Sequence, residues 1–395
     1  MKSVELFVGA GGLALGSARA GFKHDTVVER DRNACATLLH NQSEGHPLVQ
    51  GWRVREEDVT QFDYAQIKGQ VALVAGGPPC QPFSMGGKHR GHRDKRDLFP
   101  EAIRAVRELK PKAVIIENVR GLLREAFSDY LEYILHQLRY PDFAAKPGED
   151  WEDHRSRLER HATKRTHSSG ELTYNVVFQP VNAANYGVPQ RRHRVIFVAF
   201  RSDIDAKWSF REKVSETHSK RALLRDQWVT GEYWDRHKVA RKDRPEPPRG
   251  VMAKVQRRLI DDEEDRLPWV TVRDVLAGLP DPRETASKRF PNHVFQPGAR
   301  SYKGHTGSPL DEPAKALKAG VHGVPGGENM LAYPDGTVRY FTVRESARIQ
   351  TFPDDYVFTG AWSETMRQLG NAVPVALGER VARSVHQTLK RRTHK

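Results

Sequence analysis

The chain has 395 residues, 38% hydrophobic and 29% charged, enough for a core under an extensive solvated surface and for two domains or one with a large insertion. Lys and Arg outnumber Asp and Glu by 64 to 50, a net charge of +14 that suits a polyanion partner such as nucleic acid, although a merely soluble basic protein would read alike. Two cysteines exclude a disulfide framework, and neither a leader nor a membrane-length apolar run is read, so a cytoplasmic protein without membrane association is expected.

Ser3-Val4-Glu5-Leu6-Phe7-Val8 predicts a first strand running into Gly9-Ala10-Gly11-Gly12, with a helix over Leu13 to Ala20. Strand, glycine turn and helix open a nucleotide-binding sheet, because only glycine lets backbone approach a ligand closely at a helix N-terminus. Gly9, Gly11 and Ala14 fit G-x-G-x-x-A, a pattern shared with ordinary tight turns. His24 to Glu29 predicts a second strand ending in a carboxylate about 20 residues past the glycines, where Glu29 could bind two ribose hydroxyls or be a plain strand-end glutamate. Asp31 to Asn41 reads as a helix capped by Asp31 or Asn33. Asp58 either accepts hydrogen bonds from a base amine or ends a turn.

The chain centres on Val71-Ala72-Leu73-Val74-Ala75, an apolar run without alternation that predicts a buried strand. Gly76-Gly77 turn it sharply, Pro78-Pro79 stiffen it, and Cys80 follows at the carboxyl end of the strand, where open α/β sheets place ligands. A thiol held there is a candidate nucleophile; the alternative is a buried free cysteine, as expected of Cys35 within Ala34 to Leu39. Lys88 to Arg96 is dense in cations, either a clamp on a phosphate backbone or a solvated face. Asp97 is expected to cap a helix with Leu98, Phe99, Ala102, Ile103, Val106 and Leu109 on one face. Ala113-Val114-Ile115-Ile116 then predicts a second buried strand, delivering Glu117 to the edge that holds Cys80. A carboxyl at a buried strand end can hold a proton for donation, or be only ion-paired.

Residues 141–172 interrupt the pattern and predict a surface insertion, partly helical or mobile; His154, His161 and His167 are too loosely spaced for a metal site and read as solvated. Tyr174 to Val181 and Val195 to Phe200 predict further strands, the second preceded by Gln190-Arg191-Arg192-His193-Arg194, whose arginines need acceptors. From Arg201 to about Gly304 the α/β rhythm stops; Trp208, Trp228, Trp234 and Trp269 among many cations suit groove recognition, or a structural insertion. Ala319 to Gly327 is a glycine-rich loop. Thr342 and Glu345 form a capping box, Gly370-Asn371-Ala372-Val373-Pro374 predicts a turn, and Val375 to Leu389 a closing amphipathic helix.

Together these pieces resemble the DNA (cytosine-5) methyltransferases, above all the bacterial restriction-modification enzymes. The resemblance rests on six motifs in the family's order: Leu6 to Gly12, Gly77-Pro78-Pro79-Cys80-Gln81-Pro82-Phe83-Ser84, Glu117-Asn118-Val119, Gln190 to Arg194, Arg344-Glu345 with Phe352-Pro353, and Gly370 to Pro374. It implies an α/β fold, a Rossmann-like sheet binding S-adenosylmethionine, with a smaller irregular target recognition domain inserted. The catalytic domain is expected over 1–200, completed by 366–395, and the recognition domain over 201–345, with 346–365 connecting. By resemblance Cys80 is the thiolate that attacks cytosine C6, Glu117 contacts N3 and the exocyclic amine, Arg192 binds the base O2 and Arg194 supports it. Phe7, Gly9, Ala10, Gly11, Gly12, Glu29, Arg30, Asp58, Val59, Pro79, Leu98, Asn371 and Val373 would line the cofactor pocket. Gln81, Ser84, Lys88, Arg90 and Arg93 would contact double-stranded DNA, with the target base flipped out. No metal is implied; a monomer and a cognate restriction endonuclease are family expectations. Zinc deamination is excluded because Phe83 stands where P-C-x-x-C needs its second cysteine. An RNA cytosine methyltransferase of the same fold, or a silent DNA-binding relative, stays open.

Overall fold

The computed structural model describes residues 1–79, 97–163, 170–204, 206–251, 265–319 and 327–393. The expected nucleophile Cys80, with Gln81, Ser84, Lys88, Arg90, Arg93 and His167, lies outside them.

Seven strands make the main sheet: β1 Lys2–Leu6, β2 Lys23–Glu29, β3 Arg53–Glu56, β4 Leu73–Gly76, β5 Ala113–Val119, β6 Tyr174–Asn182 and β7 His193–Arg201. Their order is β3-β2-β1-β4-β5-β7-β6. The first five are parallel and β7 runs antiparallel to β5. The expected doubly wound α/β sheet is therefore present, and its strand order reverses between β1 and β4, the switch point where such sheets open a crevice. Leu6 registers with Val28 on one side and with Gly76 on the other, so the segments following β1, β2 and β4 emerge side by side. β4 and β5 are buried throughout apart from Val119, which is why they read as unbroken apolar runs.

Helices α1 Gly12–Arg19, α2 Arg32–Ser43, α3 Phe99–Leu109, α4 Ser128–Arg139 and α5 Trp151–Ala162 accompany the sheet. Asp31, rather than Asn33, caps α2, accepting from Ala34 N at 2.9 Å. Asp97 accepts from Phe99 N at 3.1 Å and so caps α3 from one residue outside the N-cap position, which is Leu98. Phe99, Ala102, Ile103 and Val106 are buried on the α3 stripe; each large side chain there contributes roughly 1.5–3 kcal/mol. Beneath α1, His24 on β2 spans two partners: its Nε2 lies 2.9 Å from Ala14 O and its Nδ1 3.1 Å from Ser3 Oγ. A carbonyl only accepts, so Nε2 carries the proton and Ser3 donates to Nδ1. Burial holds this imidazole neutral, pushing its pKa down to about 4.

The segment 141–172 is partly helical, as expected, while its described histidines are not solvated. α5 packs on α4, Leu158 is fully buried, and Trp151 meets Tyr130 and Tyr133 edge to face while those two rings are tilted against each other. His154 is not solvated: 1% exposed, it bonds Tyr133 OH at 2.7 Å and Phe143 O at 2.8 Å. His161 stacks on Phe143 with ring centroids 4.5 Å apart and pairs with Glu171. A polar, charge-rich string hid an aromatic core satellite because its few apolar residues are large and widely spaced.

The chain separates into two compact units, Met1–Val181, His193–Val214 and Gly378–Lys395 forming one and Asn182–Arg192 with Ser215–Leu377 the other. These boundaries differ from the expected 200, 345 and 366. Residues 182–192 and 346–377 group with 215–345, and residues 201–214 stay with the sheet, where Trp208 packs against Phe200 and Phe210. Within the first unit, the C-terminal part of α8, Val375–Thr393, lies on α1: a Cβ on Gly378 would come 3.2 Å from Leu13 Cδ1, and His386 meets the ring edge of Phe22.

In the second unit, Ser308–Pro309, Met330–Ala332 and Val338–Tyr340 form a small sheet. Thr342 and Glu345 make the expected capping box at the start of α6, Val343–Ile349. Glu345 also takes both terminal nitrogens of Arg339 at 2.6 and 2.7 Å, the pair being almost wholly buried. α7, Trp362–Asn371, runs through Gly370 and Asn371, so the expected turn over 370–374 begins as the last helical residues. Trp234 and Tyr233 are buried with Leu223, and Trp228 and Trp269 pack against them. These aromatics make a core, the structural alternative that their sequence reading left open.

Candidate active site

At the carboxyl end of β1 the backbone takes conformations that few side chains accept. Phe7 has φ 55°, followed by Gly9 at φ 55° and Gly11 at φ 94°. A phenylalanine in the left-handed region costs on the order of 1 kcal/mol or more and persists where its surroundings hold it; its ring packs on the main core. Nothing lies within 4 Å of where a Cβ on Gly9 would sit, so this face of the turn is open. Gly11 is the N-cap of α1 and offers no side-chain cap.

Glu29, at the end of β2, ties this turn together. Its Oε2 accepts from Gly9 N at 2.8 Å, and its Oε1 accepts from Arg30 N at 2.9 Å and Asp31 N at 2.8 Å. A carboxylate has about four acceptor positions, so Oε2 retains capacity towards a hydroxyl. Arg30 Nη1 lies 3.0 Å from Asp58 Oδ2. Asp58 is held below the usual carboxylate range by the Thr60 backbone N–H and hydroxyl, then by Arg30. Val59 beside it is buried. Leu98 N donates to Pro79 O at 3.3 Å, closing the chain across residues 80–97. Phe7, Gly9, Ala10, Gly11, Gly12, Glu29, Arg30, Asp58, Val59, Pro79 and Leu98 thus all belong to the sheet unit and follow or flank its parallel strands. Asn371 and Val373 belong to the second unit, Asn371 exposed at the end of α7 and Val373 buried.

Around the end of β5 the geometry is tighter. Glu117, 8% exposed, has Oε1 2.6 Å from Arg194 Nε on β7, in an antiparallel pair that registers Glu117 with Ile196. A Cβ on Gly77 would come 3.3 Å from Glu117 Oε2. Asn118, 3% exposed, donates from Nδ2 to Pro78 O at 3.2 Å, and its Oδ1 accepts from Val119 N at 2.7 Å. The backbone leading to Cys80 therefore runs directly over the Glu117–Arg194 pair. No role was read for Asn118 in the sequence, although a buried amide needs partners and that requirement was the available signal.

Arg192, expected at the base O2, is placed in the second unit. It is 1% exposed within the second unit, donating from Nη1 to Leu317 O at 3.1 Å and from Nη2 to Gly370 O at 2.7 Å. A guanidinium spent on two main-chain carbonyls joins segments 190–192, 317 and 370. The residue two positions on, Arg194, is the one placed at Glu117.

A family profile described as C-5 cytosine-specific DNA methylase matches residues 1–147 and 154–387. The chain is 34% identical over 393 residues to the Type II methyltransferase M.Eco47II of Escherichia coli, covering 97% of this chain and 78% of that protein. It is 31% identical over 397 residues to the Type II methyltransferase M.NgoMIV of Neisseria gonorrhoeae, covering 98% of each. Among solved structures, an E. coli prophage-encoded protein assigned as a DNA modification methyltransferase aligns over 99% of both chains with TM-score 0.59 and 22% identity. The Dnmt2 methyltransferase of S. pombe aligns over 99% of both with TM-score 0.55 and 17% identity, a likeness of fold. The chain accordingly belongs to the C-5 cytosine-specific DNA methylases, the DNA-methylating enzymes of restriction-modification systems.

Proposed function

We propose that this enzyme transfers a methyl group from S-adenosylmethionine to C5 of a cytosine flipped out of a specific duplex DNA sequence, through a covalent bond between Cys80 and C6. The observation that carries the reading is the Glu117–Arg194 pair lying under Gly77-Pro78-Pro79, the segment that leads into Cys80. Cytosine C5 is a poor nucleophile. Attack of the Cys80 thiolate forms the S–C6 bond and moves the C5–C6 π electrons towards C5, which then takes the methyl group. Loss of the C5 proton restores the double bond as the S–C6 bond breaks and the thiolate leaves. Glu117 contacts N3 and the exocyclic amine. Arg194, rather than Arg192, faces the base O2, because Arg192 has its two terminal nitrogens on main-chain carbonyls.

The sheet unit fits the cofactor. The open face of Gly9, the uncapped start of α1 and the remaining acceptor capacity of Glu29 form a cradle for a ribose and its substituents, with Asp58 and Val59 on the adenine side. S-adenosylmethionine supplies an electrophilic methyl group when bound. Residues 201–345 carry target recognition, and the excess of positive charge favours the DNA backbone. The protein works in the cytoplasm as a monomer, alongside a cognate endonuclease.

The test is base-resolution mapping of 5-methylcytosine in DNA from methylation-free cells expressing the protein. Methylation at one short recurrent sequence supports the reading. Unmethylated DNA from cells containing soluble, cofactor-binding protein refutes it and points to RNA as substrate.

A further inference from the structure

Glu117 and Asn118 are consecutive on β5, and strand geometry sends consecutive side chains to opposite sides. Yet both meet the same three residues. Glu117 lies under Gly77, and Asn118 reaches the carbonyl of Pro78. The two prolines have no N–H, so Pro78 and Pro79 can be gripped by main-chain hydrogen bonds only through their carbonyl oxygens. Two such grips are present: Asn118 Nδ2 on Pro78 O at 3.2 Å and Leu98 N on Pro79 O at 3.3 Å. The Asn118 side chain is itself fixed, because its oxygen accepts from Val119 N at 2.7 Å while its nitrogen points at Pro78. With 3% exposure, water does not replace either bond.

We infer that Asn118 is a positioning residue for methyl transfer, whose amide sets the height of the Gly77-Pro78-Pro79 segment over Glu117 and so the distance from the thiolate to the base. The inference rests on the reaction proposed above. Asn118 touches neither substrate nor cofactor in this scheme. Gly76 is fixed in the sheet between β1 and β5, and past it the segment is held at Pro78 by the Asn118 amide and at Pro79 by Leu98 N, the first being the hold that a side chain supplies.

The experiment measures the rate of covalent adduct formation with duplex DNA containing 5-fluorocytosine, and S-adenosylhomocysteine affinity by calorimetry. Wild type, N118A and N118D are compared. A misplacement approaching 1 Å costs about 100-fold in rate, so adduct formation in N118A should fall about 100-fold with cofactor affinity within twofold of wild type. N118D keeps the shape and the acceptor for Val119 N but loses the donor. Its rate relative to wild type should rise between pH 8 and pH 6, as its carboxyl takes up a proton that can again be donated to Pro78 O. Among the described residues the charged and titratable groups beside this strand end are Glu117, Arg194, Arg120 and His193, and taking the ratio to wild type at each pH removes the part common to both proteins. Adduct formation in N118A within threefold of wild type overturns the inference, as does a parallel loss of cofactor affinity. Should N118A not fold, a pH-independent N118D ratio overturns it. Absence of any adduct in the wild-type protein defeats the proposed reaction instead.

Discussion

Two adjacent glycines at the end of β4 allow the fold and the chemistry to be perturbed separately. In Gly77→Ala the new Cβ would stand 3.3 Å from Glu117 Oε2 and 3.7 Å from Glu117 O. Gly77 is not in the left-handed region, so alanine adds no backbone strain and removes freedom from the unfolded chain, worth about 0.4–1 kcal/mol in stability. What must yield is the carboxyl, by a few tenths of an ångström, and that carboxyl is 2.6 Å from Arg194 Nε. A loss of about 1–2 kcal/mol in transition-state positioning corresponds to roughly a 5- to 30-fold slower methyl transfer. In Gly76→Ala the Cβ would stand 2.7 Å from Leu6 O, backbone of the neighbouring strand, which cannot rotate away. Overpacking of that kind costs about 1–3 kcal/mol, and in a unit of this size each kcal/mol lowers the melting temperature by about 2–4 °C. The assay pairs single-turnover methylation of a duplex, using labelled cofactor, with thermal unfolding. Gly77→Ala should melt at or above the wild-type temperature and react slowly; Gly76→Ala should melt early. A Gly77→Ala protein with wild-type turnover, or one as unstable as Gly76→Ala, would refute the placement of Glu117 beneath this turn.

Other expectations follow from the same geometry. Arg192→Ala should lower the melting temperature by leaving Leu317 O and Gly370 O without their buried donor, whereas Arg194→Ala should stay folded and lose methylation by about 100- to 1,000-fold; equal melting of the two would contradict the division. Arg339→Met should cost about 3–5 kcal/mol in urea unfolding because Glu345 is left buried without its partner, and adding Glu345→Gln should recover much of that, since glutamine still serves a capping box. His24 titrates near 6.5 in the unfolded chain and near 4 when folded, so the unfolded state binds more protons in that interval and stability falls as pH drops through it. The fall should reach about 1.4 kcal/mol per pH unit and be absent from the corresponding difference curve of His24→Leu. Glu29→Gln should weaken S-adenosylhomocysteine binding by roughly 10- to 100-fold in calorimetry, since a charged acceptor of three backbone N–H groups is lost; unchanged affinity would remove Glu29 from the pocket.

Sequence patterns were most legible where a single physical requirement acts on neighbouring residues. β4 and β5 announce themselves because a strand covered on both faces must be apolar throughout, and the Thr342 and Glu345 box because it satisfies donors three residues apart. The pairing of Glu117 with Arg194 joins residues 77 positions apart through an antiparallel β7, which no local pattern encodes. Arg192 and Arg194 look equivalent in a run of three arginines and a histidine; only tertiary placement sets one on carbonyls and the other at a carboxylate. The sequence left Trp228, Trp234 and Trp269 open between groove recognition and a structural insertion for a related reason, since their spacing fits neither strand nor helix and their packing with Tyr233 and Leu223 is set by tertiary contacts. The compact units divide within one strand-to-strand connection, at 181 and 193, a crossing that no composition shift marks in the sequence.

The sheet unit is assembled from three separate stretches, and its last one, carried by α8, docks on α1: Arg383 reaches the carbonyl of Arg19 across 364 residues of chain. At roughly 5–20 residues per second of synthesis, about 20–70 s pass between the two partners leaving the ribosome. During that interval α1 presents the apolar surface that Gly378 and His386 later cover. The sheet unit therefore stays incomplete until the last stretch is made, and slow decoding ahead of codon 378 should lower the yield of folded enzyme while leaving the finished protein unaltered.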